Sequence, residues 1–163
     1  MAENFVQARV DAIRRLTRRR AAKPLEKALE KSTAADVAEA VAHLTRPEAA
    51  YCIEHVHDAA TAGEILLLLD EEMFAHVVGA APLPRLMELL HAVEHDDMTD
   101  LVARLPEALR QQVLERLAEE EREQLEELLA WPEDSAGGIM SPVVFRIRED
   151  ATCREAIRSE EHT

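Results

Sequence analysis

Helix-start signals recur along this chain at an almost constant interval. Thr33 opens T-A-A-D and Thr45 opens T-R-P-E, both capping-box patterns, while Asp58, Asp70 and Asp96 can each cap a following segment. Pro106 suits a first helical turn, and A-E-E-E at 118–121 loads another N-terminus with acid. The step is close to twelve residues, enough for about three helical turns and a short connection. Apolar sets such as Val37, Ala40, Val41 and Leu44, or Leu86, Leu89, Leu90 and Val93, fall between the caps at helical spacing. Helices this short do not hold alone, whereas stacked in order they bury one another. The expected fold is therefore all-α, a right-handed superhelix or solenoid of short antiparallel helices. Composition agrees: aromatic residues are only 3% and glycines number 4, which disfavours a sandwich or barrel.

Ahead of this rhythm, Val6, Val10, Ile13 and Leu16 recur with arginines around them, so residues 1–23 read as a basic amphipathic helical arm. Arg9, Arg14, Arg15, Arg18, Arg19, Arg20 and Lys23 face two acids there. The arm thus carries +5, which leaves −19 for the rest of a chain whose total is −14. Such an arm can meet a membrane surface or nucleic acid, or dock on the acidic body. Docking is the preferred reading, because the apolar stripe lacks the Trp and Leu of interfacial anchors. The acidic body itself repels nucleic acid and attracts cations.

The longest aliphatic run, Ile65 to Leu69, is far short of the roughly 20 apolar residues a spanning helix needs. Acids within the basic N-terminal stretch argue against a secretory leader. Two thiols 101 positions apart, Cys52 and Cys153, suit a reducing compartment, so a cytoplasmic location is expected.

The helical pattern of residues 24–131 stops near Trp131. Residues 132–142 have the composition of a linker, Val143 to Ile147 read as a short strand, and Thr152 opens the capping box T-C-R-E.

The segment P-E-D-S-A-G-G-I-M-S-P resembles the junction between the N domain and the first CBS domain of the MgtE family of magnesium channels. Glu133, Asp134, Ala136, Gly137, Gly138, Met140, Ser141 and Pro142 match its E-D-x-A-G-G-[LIM]-M-[TS]-P pattern. The resemblance implies an N domain at 24–131 and the truncated start of a CBS domain at 143–163, since only twenty-one residues follow Pro142. A lone strand and broken helix cannot fold independently, so that tail is expected to be mobile or to pair in a homodimer. The resemblance also implies a regulatory role. The N domain associates with the CBS pair when Mg²⁺ is plentiful and parts from it when the ion falls, which releases the transmembrane pore.

In the family, the N-domain acids lie on segments resembling A-x-E-[VI]-L and D-D-[LM]-x-D. Here those are A-G-E-I-L and D-D-M-T-D, so the implied Mg²⁺ ligands are Glu64, Asp96 and Asp100, with weak binding expected for the chain alone. Asp96 and Asp100 also share a helix face by their i, i+4 spacing, where unscreened like charges cost roughly 0.2–0.5 kcal/mol. The structural alternative has Asp96 capping its helix and Asp100 pairing with Arg104. A rival metal site would use Cys52, His55 and His57, or His91 and His95 at i, i+4 on one helix, but neither set offers the ligand count zinc requires. No nucleophile stands beside a base and no phosphate loop is present, so catalysis is not expected. A different class of function, a protein–protein scaffold, follows from a weaker resemblance to the middle domain of the flagellar motor switch protein.

Overall fold

The computed structural model describes residues 2–129, which form ten α-helices with no strand among them. They are α1 Ala2–Arg18, α2 Ala22–Leu29, α3 Ala34–Val41, α4 Arg46–Glu54, α5 Ala59–Leu68, α6 Glu71–Ala80, α7 Leu83–Ala92, α8 His95–Arg104, α9 Glu107–Leu114 and α10 Glu119–Leu129. The all-α expectation holds. The strand expected at Val143–Ile147, the 132–142 linker and the capping box at Thr152 lie outside the described residues.

The twelve-residue rhythm is that of the N-caps, which fall at Thr33, Thr45, Asp58, Asp70, Pro82, Glu94 and Pro106. Asp58 and Asp70 accept from the N–H groups of Thr61 and Met73, each at 2.8 Å. Thr33 and Asp36 close a capping box with two 3.2 Å bonds. Glu48 accepts from the Thr45 N–H at 2.9 Å, a bond that holds its carboxyl below the ordinary value. Two expected starts are corrected: α8 is capped at Glu94, so Asp96 lies inside its first turn and is not the cap, and Pro106 is the N-cap of α9 and not part of its first turn.

None of α5 to α8 ends on glycine. Each runs into an extended residue, Leu69, Ala81, Val93 or Leu105, followed at once by the next N-cap. Leu69 and Leu105 are buried, so two-residue connections become apolar pins. Every helix end, extended or not, leaves carbonyls without intrahelical partners. Arginines from elsewhere in the chain supply them. Arg9 donates to Lys31 O at 3.4 Å, Arg18 to His43 O at 3.3 Å, and Arg85 to Val56 O at 2.7 Å. Arg104 reaches three carbonyls at the end of α5: Leu66 at 3.3 Å, Leu67 at 3.2 Å and Leu69 at 2.6 Å.

Many helices pack on the neighbour two places along the chain. In this way α1, α3, α5 and α7 form one row, α4 lies against α6, and α8 touches both α5 and α10. Burying the stripes of both rows produces one continuous core, with Phe74, Ile13, Leu25, Ile65, Leu66 and Leu86 fully enclosed. Each such side chain contributes roughly 1.5–3 kcal/mol of transfer free energy. The basic arm belongs to this core. Val10 and Ile13 of α1 are buried against it, and the buried Asp36 of α3 pairs with Arg9 at 3.3 Å. Docking is thus the arrangement observed, although Phe5 and Val6 at the start of α1 stay exposed.

Candidate functional site

α8 carries the densest acid of the sequence motifs. Its N-cap is Glu94, Asp96 and Asp97 occupy the first turn, and Asp100 follows one turn later. Carboxylates in a first turn are favoured by the helix dipole. Asp96 and Asp100 are both exposed, as the shared-face argument requires. The alternative pairing of Asp100 with Arg104 is not what forms. Arg104 is directed onto α5 and α6, 2.7 Å from Glu71, with its guanidinium 4.3 Å from the Phe74 ring centroid. Asp100 therefore keeps its carboxylate facing solvent.

Glu64 reaches this region through a glycine. Gly63 is buried where α5 crosses the end of α7, and a Cβ built there would lie 2.2 Å from Val93 Cγ1 and 3.5 Å from Leu89 O. Only a residue without a side chain permits that approach. It sets the exposed Glu64 beside the connection that opens α8.

Asp97 reports the result. Its carboxyl is raised above the ordinary value, first by partial burial, then by the charges of Asp96, Glu94, Asp100 and Glu64. All three acids of the sequence motifs thus act on one carboxylate, Asp97, which sequence reasoning passed over together with Glu94. Asp97 is the second acid of D-D-M-T-D, and its half-burial was not legible from spacing. Among the described residues no three His, Cys, Asp or Glu side chains stand close enough to enclose an ion by themselves. Glu64, Asp96 and Asp100 are exposed carboxylates near enough for their charges to act on Asp97.

Because the folded Asp97 binds its proton more tightly than the unfolded one, ionisation costs stability. The cost is absent well below the ordinary value of 3.8, grows as pH rises through the raised value, and is complete at neutral pH. Asp97→Asn should therefore stabilise the fold at pH 7 by about 0.5 kcal/mol, after some loss of the favourable dipole interaction. Thermal melts check this: the gain should shrink towards zero near about pH 3.5. A variant less stable than wild type at pH 7 would show that the dipole outweighs the repulsion.

The other candidate ligands are placed differently from expectation. His91 and His95 do not share a helix, because the extended Val93–Glu94 connection separates α7 from α8. His91 bonds Met87 O at 2.8 Å and lies 3.5 Å from Glu121, while His95 Nε2 is buried without a partner. Cys52 is buried, which pushes its thiol up to about 11 and keeps it protonated at neutral pH. His55 bonds Tyr51 O at 2.8 Å, and His57 lies 3.6 Å from Glu26. A recess of about 720 Å³ between α4, α6 and α7 has an apolar floor that includes Ile53, Val77 and Leu86, with Tyr51, His76 and Arg85 also lining it.

Residues 32–134 match the family model of the MgtE intracellular N domain. The chain belongs to this family. The solved structures it resembles are described as parts of a magnesium channel and a magnesium transporter, not as enzymes. Among solved structures, the cytosolic domain of the Mg²⁺ channel MgtE in complex with ATP superposes with a TM-score of 0.82 at 24% identity, covering 94% of this chain and 62% of that one. The soluble part of a magnesium transporter superposes with a TM-score of 0.72 at 14% identity, covering 96% of this chain and 62% of that one. At these identities the likeness is one of fold, and the present MgtE N domain spans under two thirds of either length. No curated protein sequence matches the chain. No helix among the described residues is long and apolar enough to cross a membrane.

Proposed function

We propose that this MgtE N domain is an intracellular magnesium-sensing element of a channel or transporter, and that Glu64, Asp96 and Asp100 bear its ion-binding face. The observation that carries the reading is the match of residues 32–134 to the MgtE intracellular N domain, and the exposure of Glu64, Asp96 and Asp100, whose charges all act on Asp97, supports it. Asp97 and Glu94 join them as members of the same face. Mg²⁺ takes hard oxygen ligands and sheds water reluctantly, so an open carboxylate face holds it weakly, in the millimolar range. A second acidic face, that of the CBS pair, would complete the coordination. Without the ion the two faces repel; with it they join, and the pore to which they are tethered closes.

Linkage makes the reading testable. If Mg²⁺ strengthens association of this domain with its CBS pair, the CBS pair must raise Mg²⁺ affinity by the same factor. Calorimetry of the two proteins at low and high Mg²⁺ should show association growing with the ion in wild type and losing most of that response in Asp96→Asn with Asp100→Asn. Mg²⁺-independent association, or an unchanged response in the double variant, would reduce these aspartates to surface charges and favour the scaffold role.

A further inference from the structure

We infer that the outward face of α1 is a contact site for an anionic lipid surface. The family match begins at residue 32, so this helix lies outside it. The inward face of α1 is used up: Val10, Ile13 and Thr17 are buried in the core. The opposite face is a line of residues three and four apart, Phe5, Ala8, Ala12, Arg15 and Arg19. Phe5 at one end is 70% exposed. At the other end Arg15 and Arg19 are exposed and have no carboxylate partner among the described residues, whereas Arg14 is held by Asp11 at 3.4 Å and Arg18 reaches Glu48 at 3.9 Å. Between these side chains is an open recess of about 340 Å³, lined by Asp11, Arg14, Arg15, Arg18 and Arg19, with room for a phosphate group.

Charge and shape together select the partner. The body of the protein is strongly acidic, so a cationic face on one helix is a local feature that an anionic plane can meet while the acids lie behind it. Fourteen residues separate Phe5 from Arg19, a span of about 21 Å along the helix. A helix lying flat on a bilayer places an exposed aromatic ring at the acyl boundary and guanidinium groups among the phosphates at the same time. A nucleic-acid duplex would satisfy the arginines and leave Phe5 in water. Two free and two partly engaged arginines make such binding weak, reversible and sensitive to salt. The site is independent of the magnesium reading.

The test is flotation of the full 163-residue chain with vesicles, in EDTA so that no divalent ion bridges acids to lipid. The protein should float with vesicles of phosphatidylglycerol and phosphatidylcholine and remain behind with pure phosphatidylcholine. Raising salt from about 0.05 M to about 0.3 M should release it. Arg15→Gln with Arg19→Gln should lower the partition coefficient about tenfold, and Phe5→Ser should lower it severalfold without changing the salt dependence. Circular dichroism of each variant should match wild type, since none of these side chains is in the core. Failure to float with the anionic vesicles, equal binding to the neutral ones, or an unchanged double variant would overturn the inference. So would release by inorganic phosphate at the vesicles' own phosphate concentration, which would mark the recess as a free-anion site. Self-association in sedimentation velocity, abolished by the double variant without lipid, would assign the face to a second copy.

Discussion

Arg104→Met should destabilise this domain by about 3 kcal/mol and lower its melting temperature by roughly 10 °C. The side chain leaves α8, donates to the carbonyls of Leu66, Leu67 and Leu69, and stacks its guanidinium on Phe74. Methionine keeps the apolar stem and removes every donor, so the end of α5 is left with carbonyls that water reaches poorly. Hydrogen bonds to a charged group are worth about 1.5–3 kcal/mol each when one partner is removed, and three that share one guanidinium are not additive. The Glu71 contact adds little, because that carboxylate is largely exposed. Arg104→Lys should recover about half of the loss, since an ammonium keeps the charge without the planar fork. The same clamp holds α8 against α5, so Arg104→Met should also let the Asp97 carboxyl fall back towards its ordinary value, measurable by carboxyl-carbon NMR titration. An unchanged melting temperature would show that solvent replaces the clamp at no cost.

Gly63→Val should cost about 2–3 kcal/mol, and Gly63→Ala about 1 kcal/mol, against the helix propensity that favours both over glycine. The cause is the 2.2 Å approach of any new Cβ to Val93 Cγ1, with Leu89 O behind it at 3.5 Å. Val93 is β-branched and packed on the core, so it turns aside only with strain. Removing the obstacle reverses the sign: in a Val93→Ala background, Gly63→Ala should be neutral or stabilising by up to about 1 kcal/mol. Denaturant unfolding of the four proteins in this cycle measures the coupling directly. Additive effects would mean that α5 and α7 part freely at this point. Separation of the two helices should also carry Glu64 away from Asp97, so the Gly63 variants are expected to weaken the mutual effect of those acids as well as the fold.

Much of the architecture was legible because it is local chemistry. Thr33, Thr45, Asp58 and Asp70 are caps for reasons contained in four residues each, and the apolar sets between them need only the helical period. The α8 start escaped by two residues for a reason of the same kind. Glu94 makes no side-chain capping bond, whereas Asp96 has the composition of a cap without its position. Pro82 was missed, and Pro106 was read as a first-turn residue instead of the N-cap, because a proline at the N-cap offers no acceptor side chain to read.

The candidate site divides along the same line. The resemblance to the family pointed to three acids on two segments, Glu64 and Asp96 with Asp100, and the sequence itself supplied the composition that makes the chain helical. That Asp97 is half-buried among them, that Arg104 turns away from Asp100 to close the end of α5, and that His91 and His95 fall on separate helices required the packing. Caps and periodicity act over one or two helical turns, so they are written in adjacent residues. The distance from Glu64 to Asp97 depends on how closely α5, α7 and α8 approach, and that is decided by one absent side chain at Gly63 and one arginine thirty-five residues beyond the carbonyl it holds.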